Sequence, residues 1–172
     1  MDYLLNNITS ERLLFRKLVP SDFELWLPFH EDEITSEFWN GLPEDAVKAC
    51  KEDFERTFYR YKNNLGGKHA LIEKHNNTLI GLAGLLIQEI NHTKELEIAY
   101  SLLPEYWGRG YASEAALECK KYAQGRNLSS SLISIIHKDN IPSQNVALRN
   151  GMAIDVETSY HGNPVYIYRI QL

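Results

Sequence analysis

The sequence predicts a single domain of the α/β (α+β) class, in which helices cover both faces of a mixed and mostly antiparallel sheet. Two observations favour this architecture. Short apolar segments joined by tight turns predict antiparallel hairpins, and a strand–helix–strand passage in the middle of the chain demands at least one parallel pair. The 172 residues are close to the size of one domain, so residues 1–172 are assigned to it.

The first third of the chain predicts one strand and two helices. The segment from Glu11 to Arg16 is apolar enough for the strand. The run from Pro20 to Asp22 is typical of a helix start, with Ser21 or Asp22 as the capping residue. A second and longer helix is expected to open at Pro43 and to fade by Gly66. Its apolar residues recur at intervals of three and four, at Val47, Cys50, Phe54 and Phe58.

The remaining elements alternate between strands and helices. Strands are expected over residues 69–73 and 79–88, joined by a turn at Asn76 and Asn77. They are followed by a strand over 95–103, a helix over 112–124, a strand over 131–136, a helix over 142–150 and a last hairpin of strands 153–160 and 165–170. Small residues on one side of the 112–124 helix, among them Ala112, Ala115 and Ala116, predict a close approach to the sheet.

Composition and charge exclude several classes of protein. Hydrophobic residues make up 44% and charged residues 24% of the chain, as in ordinary globular proteins. No apolar run approaches the roughly 18 residues of a membrane span, and the N-terminus lacks the basic flank of a signal peptide, so we expect a cytoplasmic protein without membrane contact. The net charge of −5, without a basic patch, argues against nucleic-acid binding. Cys50 and Cys119 are not spaced as metal ligands, and no metal is expected.

The segment from Tyr100 to Ala116 carries the strongest chemical signal. A strand ends at Pro104, two glycines, Gly108 and Gly110, flank Arg109, and a helix starts at once. Free amides in the first turn of a helix and the positive end of its dipole favour anions. Glycines allow the backbone to approach a phosphate closely, and Arg109 supplies a cation. These residues predict a pyrophosphate site, with a simple strand-to-helix turn as the alternative.

A dinucleotide-binding fold is opposed by two details of the same region. Its glycine-rich fingerprint needs a third glycine where Ser113 stands, and an acidic residue about 20 positions further on. The sequence has no acidic residue near Ser129 to Ser131, where that residue is required.

Three segments resemble the GNAT acetyltransferases, whose signature is Gln/Arg-x-x-Gly-x-Gly/Ala. The segment from Pro104 to Ala115, PEYWGRGYASEA, is similar to the acyl-CoA-binding core of the RimJ/RimL-like branch, which includes the ribosomal-protein N-terminal acetyltransferases. The segment from Asn140 to Met152, NIPSQNVALRNGM, resembles the second motif of that branch, and the one from Ser10 to Arg16, SERLLFR, its usual start. The resemblance spans nearly the whole chain. Glu105 departs from the Gln/Arg position, which weakens a side-chain contact but not the backbone cradle.

The resemblance implies a GNAT-like acyl-CoA acyltransferase fold and acetyl-CoA as co-substrate. The strand from Glu95 to Leu103 is expected to carry a bulge and to splay from the strand at 131–136, so that pantetheine lies in the gap. The implied cofactor contacts are main-chain groups of that strand, the glycine loop with the helix start, and two asparagines of the second motif: Ser101, Leu102, Leu103, Gly108, Arg109, Gly110, Tyr111, Ala112, Ser113, Asn140 and Asn145.

Acetyl transfer to an amine needs a base for the amine and a proton for the departing thiolate. Glu97, on the cofactor-binding strand, is the expected base if burial raises its pKa; an exposed carboxylate or an ion pair is the alternative. Glu95 shares its face but lies nearer the strand start. The Tyr that many family members use as the acid would fall at Ala147. In the RimL-like subset a Ser has this role, and Ser143 matches it, with a helix N-cap as its alternative or additional role.

The sequence leaves the acceptor open. The resemblance implies an N-acetyltransferase acting on a primary amine, which belongs to a protein N-terminus, a polyamine or an antibiotic. The family builds its acceptor site between the first helices and the last hairpin, where Trp26, Phe38 and Trp39 either line a pocket or pack in the core. The missing Tyr at position 147 keeps a non-catalytic acyl-CoA-binding sensor or partner module as the alternative. A homodimer is expected by analogy only.

Overall fold

A computed structural model of the chain describes residues 2–172 and contains one sheet and five α-helices. The strands are β1 (Ile8–Thr9), β2 (Leu13–Arg16), β3 (Gly66–Glu73), β4 (Thr78–Ile90), β5 (Thr93–Leu102), β6 (Ser131–His137), β7 (Ala153–Tyr160) and β8 (Asn163–Gln171). The helices are α1 (Phe23–Glu31), α2 (Glu33–Ser36), α3 (Ala46–Lys62), α4 (Tyr111–Gly125) and α5 (Ile141–Arg149). Within residues 2–172, none of these helices has the length and apolarity needed to cross a bilayer.

The eight strands follow one another across the sheet in the order β1-β2-β3-β4-β5-β6-β8-β7. All neighbouring pairs are antiparallel except β5 and β6, which are parallel, so the predicted mixed and mostly antiparallel sheet is confirmed. β5 and β6 share a single pair, Glu97 with Ile133. The predicted bulge in β5 is wrong, because β5 pairs with β4 without any register shift. The gap beside β5 arises instead from the divergence of β5 and β6.

Helices cover both faces of the sheet, as the sequence predicts. On the first face, which we call the α4 face, α4 and α5 pack over a core that includes Ile98 of β5 and the small side chain of Ala115. On the second, the α3 face, α1 and α3 contribute Trp26 and Phe54 to a core that includes Leu82 of β4. Because successive residues of a strand point to opposite faces, neighbours in β5 serve two different compartments.

The N-terminal region departs from the sequence prediction in local detail. The short elements β1 and α2 are not predicted, and α3 begins at Ala46 rather than at Pro43. Asp45 is its N-cap and accepts a 2.9 Å hydrogen bond from the amide of Lys48. Asp22 stands at the N-cap position of α1, but its side chain makes no capping hydrogen bond. Its carboxylate instead accepts two hydrogen bonds of 2.7 Å from Arg16 and one of 2.9 Å from the Val19 amide. The Arg16 cation and the Val19 amide therefore occupy this carboxylate in place of the first amides of α1.

Candidate active site

A gap opens in the middle of the sheet where β5 and β6 part. The two strands are joined at the pair Glu97–Ile133. Just beyond that pair, the Ser134 hydroxyl donates a 2.9 Å hydrogen bond to the carbonyl oxygen of Ile98. A side chain thus replaces the main-chain ladder at the closed end of the gap, and the strands separate from there toward the C-terminal end of β5.

Alternation along β5 decides which main-chain groups face the gap. The Leu103 amide donates to the Ile80 carbonyl oxygen of β4 at 3.0 Å, and by alternation the main-chain groups of Ser101 also face β4. The main-chain contacts with pantetheine that the sequence predicts for Ser101 and Leu103 are therefore wrong. Tyr100 and Leu102 present their main-chain groups to the gap instead. The Leu102 carbonyl oxygen accepts a 2.8 Å hydrogen bond from the indole of Trp107. The groups that remain to bond a ligand in the gap are the Leu102 amide and the amide and carbonyl oxygen of Tyr100.

The loop between β5 and α4 forms an open cradle at the end of the gap. Gly108 and Gly110 have φ of +71° and +82°, values that favour glycine over any L side chain. The Glu114 amide donates to the Gly110 carbonyl oxygen at 3.0 Å, so the amides of residues 111–113 precede the first hydrogen bond of α4. A Cβ at Gly108 would meet none of the described atoms within 4 Å. The donor set and the open space fit a pyrophosphate group.

The side chains predicted around this cradle lie together at the start of α4. Arg109 is exposed, and its guanidinium lies 5.6 Å from the ring centroid of Tyr106. Tyr111 and Ala112 are half-buried in the first turn. The Ser113 hydroxyl is shielded from solvent, and no residue within 2–172 is its hydrogen-bond partner. The structure therefore brings together the residues from Gly108 to Ser113 that the sequence predicts for phosphate binding.

Arg12, which the sequence does not single out, holds this cradle from the N-terminal side. Its Nε and its main-chain amide donate to the two carboxylate oxygens of Glu114, each at 2.7 Å. The Ser10 hydroxyl donates to the same carboxylate at 2.7 Å. Arg12 Nη1 donates to the Arg109 carbonyl oxygen at 2.9 Å, and the guanidinium lies 4.2 Å from the ring centroid of Tyr111. We call Ser10, Arg12 and Glu114 the clamp.

Glu97 lies on the α3 face, where the strands begin to part, and is only 7% exposed. Gln88 Nε2 donates a 2.7 Å hydrogen bond to its carboxylate. Burial raises the pKa of Glu97 to about 7, while the bond from Gln88 and the charges of Arg60 and Lys68 act in the opposite direction. Of the alternatives open at the sequence, an exposed carboxylate is therefore excluded. No ion pair within 4.0 Å involves Glu97 among the described residues.

Glu95, its neighbour on the same face, is committed to a different interaction. Arg169 of β8 donates two hydrogen bonds, of 2.7 and 3.0 Å, to the Glu95 carboxylate. The same guanidinium donates to Asp155 at 2.8 Å. The Glu95 carboxylate is therefore occupied by an ion pair that joins β5 to β8. The geometry thus separates the roles of two glutamates that stand two residues apart.

Ser143 lies across the gap from β5, on the α4 face. Its hydroxyl is 2.9 Å from the Tyr100 hydroxyl, which also donates to the Ser143 carbonyl oxygen at 3.0 Å. Burial raises the pKa of Tyr100 to about 12, so the phenol stays protonated. Ala147 is buried one turn further along α5. The sequence does not single out Tyr100, because its contact with Ser143 joins residues 43 positions apart.

The start of α5 shows that Ser143 does not have the N-cap role that the sequence leaves open. The Asn140 side-chain oxygen accepts a 3.1 Å hydrogen bond from the Ser143 amide, so Asn140 is the N-cap and Ser143 is not. Asn and Ser are about equally good N-cap residues, so the position of Asn140 three residues before the bonded amide decides between them. The Asn140 amide nitrogen remains a candidate for contact with pantetheine. Asn145 is exposed on α5, and its predicted contact stays a prediction.

The aromatic residues of the N-terminal region divide between core and site. Trp26 is fully buried, and its indole donates to Asp53 at 3.3 Å, so it packs in the core. Phe38 and Trp39 instead approach His137 at the end of β6, with ring centroids 5.5 and 6.3 Å from the imidazole. Trp39 also packs against the apolar cluster that contains Ile133, the pairing partner of Glu97.

Comparison with known proteins identifies a matching domain family and several relatives. A model of the acetyltransferase (GNAT) domain matches residues 12–153. YkkB of Bacillus subtilis, an uncharacterized protein, is 28% identical over 96 residues, which are 56% of this chain, and the match spans about half (56%) of that relative. The uncharacterized N-acetyltransferase YnaD of the same organism is 29% identical over 146 residues, 85% of this chain and 82% of its own.

Solved structures show the same architecture. A crystal structure of an acetyltransferase from Agrobacterium tumefaciens superposes with a TM-score of 0.81 at 23% identity, covering 96% of this chain and 94% of its own. RimL, a ribosomal alpha-N-protein acetyltransferase in complex with coenzyme A, superposes with a TM-score of 0.74 at 17% identity, covering 96% and 97%. The fold expected from the sequence is thereby confirmed. With a domain model matching most of its length, the chain belongs to the GNAT family and is an acetyl-CoA-dependent acetyltransferase.

Proposed function

We propose that this acetyltransferase acts on a primary amine, which reaches the gap from the α3 face. The observation that carries the proposal is the buried carboxyl of Glu97, whose pKa is raised to about 7 on that face. A base with a pKa near the working pH combines a useful ionised fraction with a strong affinity for the proton. An amine acceptor needs such a base, because a protonated amine has no lone pair with which to attack a carbonyl carbon.

Acetyl-CoA is proposed to approach from the α4 face and to fill the gap. The pantetheine arm would hydrogen-bond to the main chain of Tyr100 and Leu102, and the pyrophosphate would rest on the amides of residues 111–113, with Arg109 nearby. Asn140 and Asn145 are candidates for the far side of the arm. The fold shared with RimL, which was solved with coenzyme A, supports this placement.

In the proposed reaction, the amine nitrogen forms a bond to the acetyl carbon as the carbon–sulfur bond breaks. One amine proton goes to Glu97, directly or through a water molecule. The departing thiolate takes a proton on the other side of the gap, so the net products are an amide and a free thiol. Glu97 then returns its proton to solvent, and Ser143, the proposed source of the thiol proton, regains one from solvent. Base and acid must stand on opposite sides of the thioester, and Glu97 and Ser143 lie on opposite faces of the sheet.

Ser143 is the proposed group on the thiolate side, with Tyr100 as its support. When the single Tyr100 proton turns from the Ser143 carbonyl oxygen, 3.0 Å away, to the Ser143 hydroxyl, 2.9 Å away, the serine proton is free to point at sulfur. Because its pKa is about 12, Tyr100 stays protonated and can position the serine hydroxyl. The pair would stand in for the phenol that Ala147 cannot supply.

The identity of the amine is the least constrained part of the proposal. Membership of the RimJ/RimL-like branch, proposed from the motifs at 104–115 and 140–152, favours a protein N-terminus. RimL itself is described as an alpha-N-protein acetyltransferase. A polyamine and an antibiotic amine are the other candidates. The cytoplasmic location and the homodimer expected from the sequence stay predictions.

A thiol-release assay with a panel of amines tests the proposal. The panel contains a peptide with a free N-terminus, a polyamine and an amine-bearing antibiotic, and we expect release with at least one of them. Glu97→Gln should lower kcat/KM for that amine by about 10²- to 10⁴-fold. Glu95→Gln, the same change two residues away on the same face, should keep the activity. If no amine releases thiol although acetyl-CoA binds, the binding-module alternative is favoured.

A further inference from the structure

We propose that Arg12 is a phosphate-binding residue of the acyl-CoA site and that the clamp aims its guanidinium at the pyrophosphate. The inference rests on the acyl-CoA site of the proposed function and adds to it a cation from the N-terminal strand region, about 100 residues away from the glycine loop. Four contacts fix the guanidinium and its backbone, and one edge of it points toward the cradle.

Short hydrogen bonds to the charged Glu114 carboxylate hold the clamp in one arrangement. Three hydrogen bonds of 2.7 Å converge on the Glu114 carboxylate, from Ser10 and from two nitrogens of Arg12. Burial opposes ionisation of Glu114, but these bonds outweigh it and lower the pKa of the carboxyl below its ordinary value. Hydrogen bonds between ionised partners are short and geometrically specific, so the Arg12 side chain has little freedom to swing away.

The remaining edge of the guanidinium faces the loop. Nε is used by Glu114, and Nη1 is used by the Arg109 carbonyl oxygen. The third nitrogen, Nη2, lies 3.3 Å from the position that a Cβ of Gly110 would occupy. The side chain is 37% exposed, so a ligand on the loop can reach it. A planar fork with two nitrogens anchored and one presented outward suits a phosphate oxygen.

The position of this edge indicates which phosphate it meets. Gly110 directly precedes α4, whose free amides at 111–113 form the proposed pyrophosphate seat. A guanidinium beside Gly110 therefore stands next to the same anion as those amides. Arg109 is one residue earlier but exposed and leaning on Tyr106, so it is less fixed than Arg12.

Packing of the arginine on a tyrosine ring is a competing explanation, and a second arginine provides the control for it. Arg126 lies at the other end of α4, with its guanidinium 3.9 Å from the ring centroid of Tyr122. It resembles Arg12 in lying over a tyrosine ring of the same helix, but it is remote from the cradle. Loss of packing alone should affect Arg12→Met and Arg126→Met alike, whereas loss of a phosphate contact should affect only the former.

The experiment measures the Kd of coenzyme A and of dephospho-coenzyme A by calorimetry, together with the KM of acetyl-CoA and of S-acetylpantetheine. For Arg12→Met we expect Kd to rise about tenfold for both nucleotides, as for the loss of one charge-assisted hydrogen bond. KM for acetyl-CoA should rise by a similar factor while kcat stays within about twofold, and the KM of S-acetylpantetheine, which has no pyrophosphate, should not change. Arg126→Met should match the wild type throughout.

Each outcome decides the proposal. An Arg12→Met protein that binds coenzyme A like the wild type overturns it, as does an equal rise in KM for S-acetylpantetheine. A loss confined to coenzyme A, and absent for dephospho-coenzyme A, would reassign Arg12 to the 3′-phosphate and overturn the pyrophosphate contact. If Arg12→Met does not fold, the same constants are measured for Arg12→Lys, because a lysine cannot bond Glu114 and a phosphate at the same time. An unchanged Kd of coenzyme A for Arg12→Lys would then refute the proposal. A wild type that binds no coenzyme A would refute the proposed function itself.

Discussion

Replacing Glu97 by Gln should make the protein more stable and less active, with a stability gain that depends on pH. The glutamine has nearly the same shape, can accept the same hydrogen bond from Gln88, and is neutral at every pH. It therefore removes the buried charge and leaves the packing unchanged.

The magnitude follows from the difference between the folded and unfolded pKa of Glu97. The ordinary pKa is 4.5 and the folded value is about 7, so the folded state binds the proton more tightly. The contribution of the protonated carboxyl to stability is complete below pH 4.5 and is lost as pH rises through 7. Since one pKa unit corresponds to about 1.36 kcal/mol, the loss amounts to about 3 kcal/mol above about pH 8. The neutral glutamine of the variant escapes this loss.

Urea unfolding of the wild type and Glu97→Gln at pH 5 and pH 8.5 measures the effect. The free energies of unfolding should agree at pH 5 to within about 1 kcal/mol and differ by about 3 kcal/mol at pH 8.5, with the variant more stable. His69, whose pKa burial lowers to about 4, is common to both proteins and cancels in the difference. A variant that is less stable at pH 8.5, or a gain independent of pH, would refute the assignment of a raised pKa to Glu97.

Three other predictions concern the two ends of the acetyl-CoA site. Gly110→Trp should abolish the rise in Tm that acetyl-CoA gives to the wild type, because a bulky side chain at φ +82° fills the cradle; thermal shift measures it, and a retained rise would contradict the cradle. Tyr100→Phe should lower kcat about three- to tenfold and leave the KM of acetyl-CoA unchanged, through the loss of one hydrogen bond. Tyr59→Phe, on a tyrosine that is 62% exposed on α3, is its control and should have wild-type kcat. Ser143→Ala combined with Tyr100→Phe should lose no more activity than Ser143→Ala alone; additive losses would show that the two hydroxyls act separately.

The features that the sequence predicts correctly are those encoded in adjacent residues. The cradle from Gly108 to Ser113 needs a strand end, two glycines and a helix start in succession, and all three are local signals. The hairpins of the last strands are local as well, with positive φ at His161 and Gly162 in the turn. Elements of this kind depend on backbone conformations that a short segment adopts for its own reasons.

The features that sequence reasoning misses depend on distant partners. Arg12 and Glu114 are 102 residues apart, and Tyr100 and Ser143 are 43 apart, so no spacing rule links them. The burial of Glu97 also results from packing, since a strand residue of that type is exposed or buried according to what covers its face. Asn140 rather than Ser143 caps α5 for a related reason, because both residues are good caps and only the geometry of the chain chooses between them.

The single pair between β5 and β6 has a consequence for hydrogen exchange. The odd-numbered amides of β5 from Glu97 onward are bonded to β4, whereas those of Tyr100 and Leu102 face the gap. In the free protein, protection from exchange should therefore alternate residue by residue along one strand, slow and fast in turn. Bound acetyl-CoA would slow the fast set and leave the slow set unchanged, so that exchange at two amides would report directly on whether the sheet is bridged.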